Sequence, residues 1–202
     1  MNYFTSDYHW GHKNIITMCN RPYLDIYTHD DDVIQKHNSV VTDSDDVWDL
    51  GDIAYRCSAE YLVERIKRLK GKRHIVMGNH DKPLRQAYKQ GLLKCLIDSG
   101  KLEIIGGDTA IDDSTLAISK MLNIDGQQVF VSHYAYKTWT GAFRGTIMLY
   151  GHSHGNLTES LYKSFDVGID SHNYYPWSWI QVKERISKVS IDFSEKYECK
   201  ND

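Results

Sequence analysis

Ile75-Val76-Met77-Gly78-Asn79-His80-Asp81 is the stretch whose reading decides the fold. An apolar, β-branched run feeds a glycine and then delivers an amide, an imidazole and a carboxylate in succession, as a strand end does at the rim of a buried sheet. A plain strand-to-helix turn explains the same residues: Gly78 relaxes the backbone, Asn79 tolerates an unusual dihedral, and Asp81 caps a helix beginning near Pro83. Taken alone, the turn is the simpler reading. The other strand ends of the chain decide between the two.

Working outward, His74 to Met77 reads as a strand, preceded by a helix from Ser58 to Lys70 with Leu62, Ile66 and Leu69 on one face and Gly71 closing it. Before that helix, Val47 to Leu50 is a strand running into Gly51-Asp52. Asn2 to Ser6 is another, ending in Asp7-Tyr8-His9 and then Trp10-Gly11-His12. Residues two apart on an extended segment point the same way, so Asp7 and His9 are expected to converge. Helical spacing runs from Asn14 to Asn20, from His29 to Val40 and from Leu84 to Ile97, with Asp30, Asp31 and Asp32 supplying negative charge at a helix start. Alternating strands and helices predict a partly parallel sheet with its site at the strands' carboxyl ends.

Beyond Gly100 the pattern becomes mainly β. Leu102 to Ile105, Thr115 to Leu122, Gln128 to Ser132, Thr146 to Tyr150 and Leu161 to Val167 read as strands, with turns at Gly106-Gly107 and Asp125-Gly126, the latter the clearest hairpin. Two of these strands end in Ser132-His133-Tyr134 and Gly151-His152-Ser153-His154-Gly155. A short helix is expected from Ser178 to Ile186, and the polar end beyond Phe193 is expected to fray.

The 202 residues suit one domain, 1–195, followed by a polar tail, 196–202; 41% hydrophobic and 25% charged residues are the proportions of a soluble globular protein. No export signal is visible and no apolar run reaches membrane-spanning length, so a cytoplasmic location is expected. Cys19, Cys57, Cys95 and Cys199 form no C-x-x-C pair and read as reduced thiols. A net charge of −3 without a basic block does not call for a nucleic-acid duplex, although a nucleotide substrate stays open. No obligate protein partner is evident.

Ten histidines are the unusual feature, and half of them sit in short polar clusters beside glycine. Five clusters at expected strand ends supply Asp7 and His9, Asp52, Asn79 and His80, His133, and His152 and His154. With one imidazole set aside for acid-base work, seven nitrogen or oxygen donors remain. Two divalent cations need about that many if one carboxylate bridges them. Mixed imidazole, carboxylate and amide donors favour Mn, Fe, Zn or Ni over calcium or a thiolate-bound zinc.

The ordered set Asp7-Tyr8-His9, Gly51-Asp52, Gly78-Asn79-His80-Asp81, Ser132-His133 and Gly151-His152-Ser153-His154 resembles the motif series of the calcineurin-like metallophosphoesterase superfamily. It is similar in particular to compact bacterial and bacteriophage members with Ser-Asp-x-His followed by Gly-His-x-Asn-Ile, here Ser6 to Ile15. The likeness runs from about Tyr3 to Pro176. It implies an α/β fold, a four-layer αββα sandwich with two facing mixed sheets and a binuclear metal site at the strand carboxyl edge. Asp7, His9, Asp52 and His154 would hold one metal, with Mn the leading candidate. Asp52, Asn79, His133 and His152 would hold the other, so that Asp52 bridges. Two divalent ions against two carboxylates leave positive charge for a phosphate, and a bridging hydroxide would attack phosphorus.

The resemblance makes His80 the general acid toward the leaving oxygen. Arg56, four residues after Asp52, matches a phosphate-binding arginine of the protein-phosphatase branch, but Tyr55 stands where that branch has a carboxylate for its catalytic histidine. His80 is left with Asp81, another carboxylate or no partner. Ala135 likewise replaces the proline common in phage-like members. His12 lies on the expected rim. Arg144 and Lys137, with Tyr134, Tyr136 and Trp139, would bind phosphate and stack a base, or else form a loop packed on the second sheet. His29, His37, His74 and His172 read as hydrogen-bonded or surface residues. Tyr174, Tyr175, Trp177 and Trp179 read as packing, and Lys67, Arg68, Lys70, Lys72 and Arg73 as a solvated helix end. The expected activity is hydrolysis of phosphomonoesters or phosphodiesters, with a nucleotide or a single-stranded nucleic-acid end favoured. Its rivals are a phosphoprotein phosphatase and a catalytically silent binding module.

Overall fold

The computed structural model describes residues 1–157 and 162–189. In chain order these form β1 (Asn2–Thr5), α1 (Ile15–Met18), α2 (Ile26–Val40), β2 (Asp46–Asp49), α3 (Ala59–Arg68), β3 (Lys72–Ile75), α4 (Lys82–Lys89), α5 (Lys94–Asp98), β4 (Leu102–Ile104) and α6 (Gly107–Asp112). They continue as β5 (Ser119–Ile124), β6 (Gln127–Ser132), β7 (Ile147–Tyr150), β8 (Ser164–Asp166), β9 (Trp177–Ser178) and α7 (Trp179–Ser187). Two mixed sheets result, ordered β4-β3-β2-β1-β9 and β5-β6-β7-β8. In the first, β1 to β4 are parallel and β9 pairs antiparallel, Tyr3 opposite Ser178. In the second, β5 and β6 form the hairpin expected at Asp125-Gly126, both of which take positive φ, and β6, β7 and β8 are parallel.

Side-chain alternation explains the layering. Phe4, Leu50 and Val76 face Val129, Val131, Ile147 and Leu149 in a core between the sheets. Alternate residues Ile75 and Met77 turn the other way, under Val33, Ile34, Leu62, Ile66 and Leu84 of the helices. Met148 and Tyr150 face away from the first sheet, beneath Trp139, Ala142 and Tyr162. The fourth layer therefore departs from the expected αββα sandwich. Among the described residues, the loop after β6 and its one 3-10 turn, Ala142–Arg144, cover that face instead of helices. Trp179, Val182 and Ile186 of α7 join the core between the sheets.

Several expected boundaries move for identifiable reasons. Helix α2 starts at Ile26 because the Asp25 carboxylate caps it, accepting from Tyr27 N and Thr28 N at 2.8 Å each. The acidic run thus lies beyond the helix start, and Asp30 is buried, accepting from Gly11 N, Tyr61 Oη and Arg65 Nε. The helix expected over 84–97 is two, broken at Gly91 with φ +73. Gly106-Gly107 starts α6 where a plain turn was expected, which moves the next strand to Ser119. Arg73 belongs to no solvated helix end: it is buried and donates to Asp49 Oδ2 at 2.8 Å. The expected tail beyond Phe193 and the strand start at Leu161 lie outside the described residues. No described helix is long and apolar enough to cross a membrane. Cys19, Cys57 and Cys95 are free thiols.

Two outcomes test this framework. Leu149→Ala, wholly buried between the sheets, should lower unfolding free energy in urea by about 2–5 kcal/mol, whereas Leu24→Ser, fully exposed, should leave it unchanged. His37 is buried, with Nδ1 facing Tyr8 Oη and Nε2 facing the Lys70 carbonyl. Burial, reinforced by the Arg73 charge, pushes its pKa down from 6.5 to about 3. The unfolded chain then binds the extra proton first, so this contribution is complete above pH 6.5 and is lost as pH falls toward about 3. His37→Gln should flatten the acid limb of stability against pH; an unchanged slope would refute the assignment.

Candidate metal centre

Every donor cluster read from the sequence sits just beyond a strand. Asp7 and His9 follow β1, Asp52 follows β2, Asn79 follows β3, His133 follows β6, and His152 and His154 follow β7. The sheets meet where Ser6 pairs with Gly168, so the carboxyl ends of both converge. Convergence does not come from extended backbone as expected for Asp7 and His9. Asp7, His9, Asp52, His152 and His154 all have positive φ, between 49° and 67°. For residues with a Cβ this is a strained conformation, and such strain concentrates at functional sites. The chain turns sharply after each strand, and the donors turn inward with it.

The residues read from the sequence form two donor trios, Asp7, His9 and His154, and Asp52, His133 and His152, each with its ligand atoms within 4.8 Å of one another; Cys19 and Asp170 make a further trio with His154. Asp52 stands between them: Oδ2 lies 3.6 Å from His9 Nε2 and Oδ1 3.5 Å from His133 Nε2. Asn79 Oδ1 is 2.9 Å from the same His133 nitrogen. Three imidazoles have Nδ1 engaged elsewhere, which leaves Nε2 for the site. His133 Nδ1 donates to the Leu50 carbonyl at 2.7 Å, His154 Nδ1 meets Asp170 Oδ2 at 2.8 Å, and His9 Nδ1 is 3.2 Å from His12 Nδ1. His9 Nε2 is buried without a hydrogen-bond partner among the described residues, so its lone pair is free to serve as a ligand.

The electrostatics agree. Burial pushes the Asp7 carboxyl up to about 7 against the pull of His133 and His154, and among the described residues the carboxylate accepts only from His152 N. Burial pushes His9 down to about 2 although Asp52 opposes it. Burial would also raise Asp52, but His133 outweighs it and holds Asp52 low, and Asp52 in return holds His133 high despite burial. Burial likewise opposes a charged His154, and the Asp170 carboxylate outweighs it. Buried carboxylates interleaved with neutral-capable imidazoles form a donor set suited to divalent cations.

Asp81 neither caps α4 with its side chain nor orients His80. Its carboxylate accepts from Gly78 N, Asp52 N and Ile53 N at 2.7–3.0 Å. The His80 backbone N–H donates to Asp52 Oδ1 at 2.8 Å, and its ring packs near His9 and Tyr55, centroids at 5.5 and 4.4 Å. Among the described residues no carboxylate orients it, the outcome that Tyr55 foreshadowed. His12 is buried at the rim against Tyr55, and burial pushes it down to about 4. Arg56 is exposed beside the Tyr55 ring. Tyr134 flanks the other side, near His133 and His152.

Arg144 is not brought to this site. It lies next to Gly145, whose carbonyl accepts from Gln127 Nε2 at the amino end of β6, whereas His133 follows the carboxyl end. Trp139 is buried and donates to the Thr146 carbonyl at 3.0 Å, so the packing role holds for it. Sequence reasoning missed Arg21, Asp166 and Asp170. Asp166-Val167-Gly168-Ile169-Asp170 carries the same signal as the other clusters, a strand ending in polar residues beside glycine. Arg21 carries none.

No protein-family model matches the chain. It is 28% identical over 196 residues to an uncharacterized protein of Methanocaldococcus jannaschii, covering 94% of this chain and 93% of that one. It is 27% identical over 188 residues to the gene 66 protein of Mycobacterium phage L5, covering 84% and 86%. A crystal structure of a protein of unknown function from Aquifex aeolicus superposes with a TM-score of 0.65 at 20% identity, over 92% of this chain and 98% of that chain. At that identity the likeness is one of fold: α/β, with two mixed sheets and flanking helices.

Proposed function

We propose that the protein is a binuclear metal-dependent hydrolase of phosphoesters. One observation carries this reading: the two oxygens of Asp52 face one histidine of each donor trio, at 3.6 and 3.5 Å, as a bridging carboxylate does. Asp7, His9, Asp52 and His154 would hold one cation, and Asp52, Asn79, His133 and His152 the other; Mn, Fe, Zn and Ni all suit these donors. When bound, two such ions supply the positive charge that binds a phosphoryl group, stabilises its developing charge and acidifies water.

The remaining work falls to side chains. His80, half-exposed and anchored through its backbone on Asp52, is placed to give a proton to the leaving oxygen. Arg56 offers a guanidinium to phosphate oxygens at the exposed side. Asn79 and His152 are also exposed, so the centre opens directly to solvent. Tyr55 and Tyr134 flank it with aromatic rings, which favours a nucleotide or a single-stranded end over a substrate lacking a stackable group. Every donor of the set is present, which counts against a silent binding module.

Purified protein reconstituted with Mn should contain about two metals per chain and hydrolyse some member of a panel of aryl monoester, aryl diester, cyclic nucleotides and short single-stranded oligonucleotides. Absence of bound metal after reconstitution would defeat the proposal. Asp52→Asn should nearly abolish turnover. His80→Ala should cost about 100-fold or more on alkyl esters and much less on aryl phosphates, whose leaving groups need no proton; equal losses on both would remove His80 from the general-acid role.

A further inference from the structure

We infer that Arg21 is the positioning residue for the Asp7, His9 and His154 half of the centre and leaves the other half untouched. This rests on reading the site as a metal centre. Arg21 is buried, and all five of its N–H groups are used. Nε and Nη2 form a fork on Asp170, at 2.8 and 2.7 Å. Nη2 also donates to the Asp7 carbonyl at 2.8 Å, and Nη1 to the Tyr8 carbonyl at 3.0 Å and to His29 Nε2 at 2.8 Å.

Each contact has a consequence. Asp7 and His9 have φ of 60° and 54°, and the carbonyls Arg21 holds are those of Asp7 and the residue between them. One guanidinium thus pins the strained turn that aims both donors. Through Asp170 it also fixes the carboxylate on His154 Nδ1 and, with it, the direction of Nε2. The guanidinium cancels the charge of Asp170, so His154 gains an orienting carboxylate without a further net anion beside the site. Because a guanidinium only donates, His29 Nε2 accepts, so His29 Nδ1–H donates to Asp30 Oδ1 at 2.7 Å. Asp30 is held in turn by Gly11 N, Tyr61 Oη and Arg65.

The other half has separate supports. His133 hangs on the Leu50 carbonyl, and the Asp52 backbone on Asp81. Neither touches Arg21. A lysine would preserve the charge but offers three donors without the planar fork, so charge alone should not rescue the site.

Calorimetric titration of Mn into the metal-free full chain, with thermal unfolding in parallel, reads this directly. The wild type should bind two equivalents. Arg21→Lys and Asp170→Asn should each weaken one equivalent by roughly 10–100-fold and leave the second unchanged. In a His152→Ala background, which leaves the first half intact, Arg21→Lys should remove the remaining tight binding; in a His9→Ala background it should add nothing. Equal weakening of both equivalents, or of neither, overturns the inference while the metal-centre reading stands. A wild type that binds no metal overturns both. If Arg21→Lys fails to fold, Asp170→Asn decides alone by the same criterion.

Discussion

The carboxylate of Asp81 is the tie on which the centre of the site depends. It reaches back from the loop after β3 to accept from Asp52 N and Ile53 N, and it closes its own loop on Gly78 N. A buried carboxylate is costly unless its lone pairs are filled, and three backbone amides fill them. Two loops that no strand pairing joins are thereby locked at one separation. The fit is close enough that a Cβ on Gly78 would strike the Asp52 carboxylate and backbone. Asp52 is consequently held with φ 55°, its oxygens aimed between two histidines and its Oδ1 accepting from His80 N.

Asp166 and Asp170 work the same way on the second sheet. Asp166 accepts from Ser153 Oγ, Gly155 N and Gly168 N, so the loop carrying His152 and His154 is tied to the end of β8. Asp170 links that loop to Arg21 and through it to the loop after β1. These three carboxylates tie segments together: Asp81 and Asp166 spend their oxygens on loops, and Asp170 on the Arg21 and His154 side chains. The five positive-φ donors need such restraint, since each left-handed residue costs of order 1 kcal/mol or more.

This division explains what could be read from the sequence. The residues that converge at the candidate centre were legible because each repeats one local signal, an apolar strand running into polar residues beside glycine. The ties were not, because their partners lie far along the chain: 28 and 29 residues from Asp81 to its partners after β2, 149 from Arg21 to Asp170. Asp81 looked like a cap since it does precede a helix with Pro83, and only the long-range amides reveal where its oxygens go. Arg144 was misplaced for the opposite reason. Its basic, aromatic neighbourhood follows His133 closely in sequence, but the loop runs back to the amino end of β7. The start of α2 was missed because Asp25 is one acid among several in the sequence, and only the structure shows its carboxylate accepting from Tyr27 N and Thr28 N.

Neither half of the candidate centre can be assembled on one sheet. The first takes Asp7 and His9 from beyond β1 and His154 from beyond β7; the second takes Asp52 and Asn79 from the first sheet, His133 and His152 from the second. Donor distances are therefore set by how Phe4, Leu50 and Val76 seat against Val129, Val131 and Leu149. Densely packed cores shift little, so the inter-sheet core keeps the donors preorganised at small structural cost. The linkage also runs the other way. A cation held by donors of both sheets would bind only when the sheets are docked, and would so stabilise the docked state by mass action. The seam that carries the site is also where the strained turns and buried charges accumulate, and cation binding would offset their cost there.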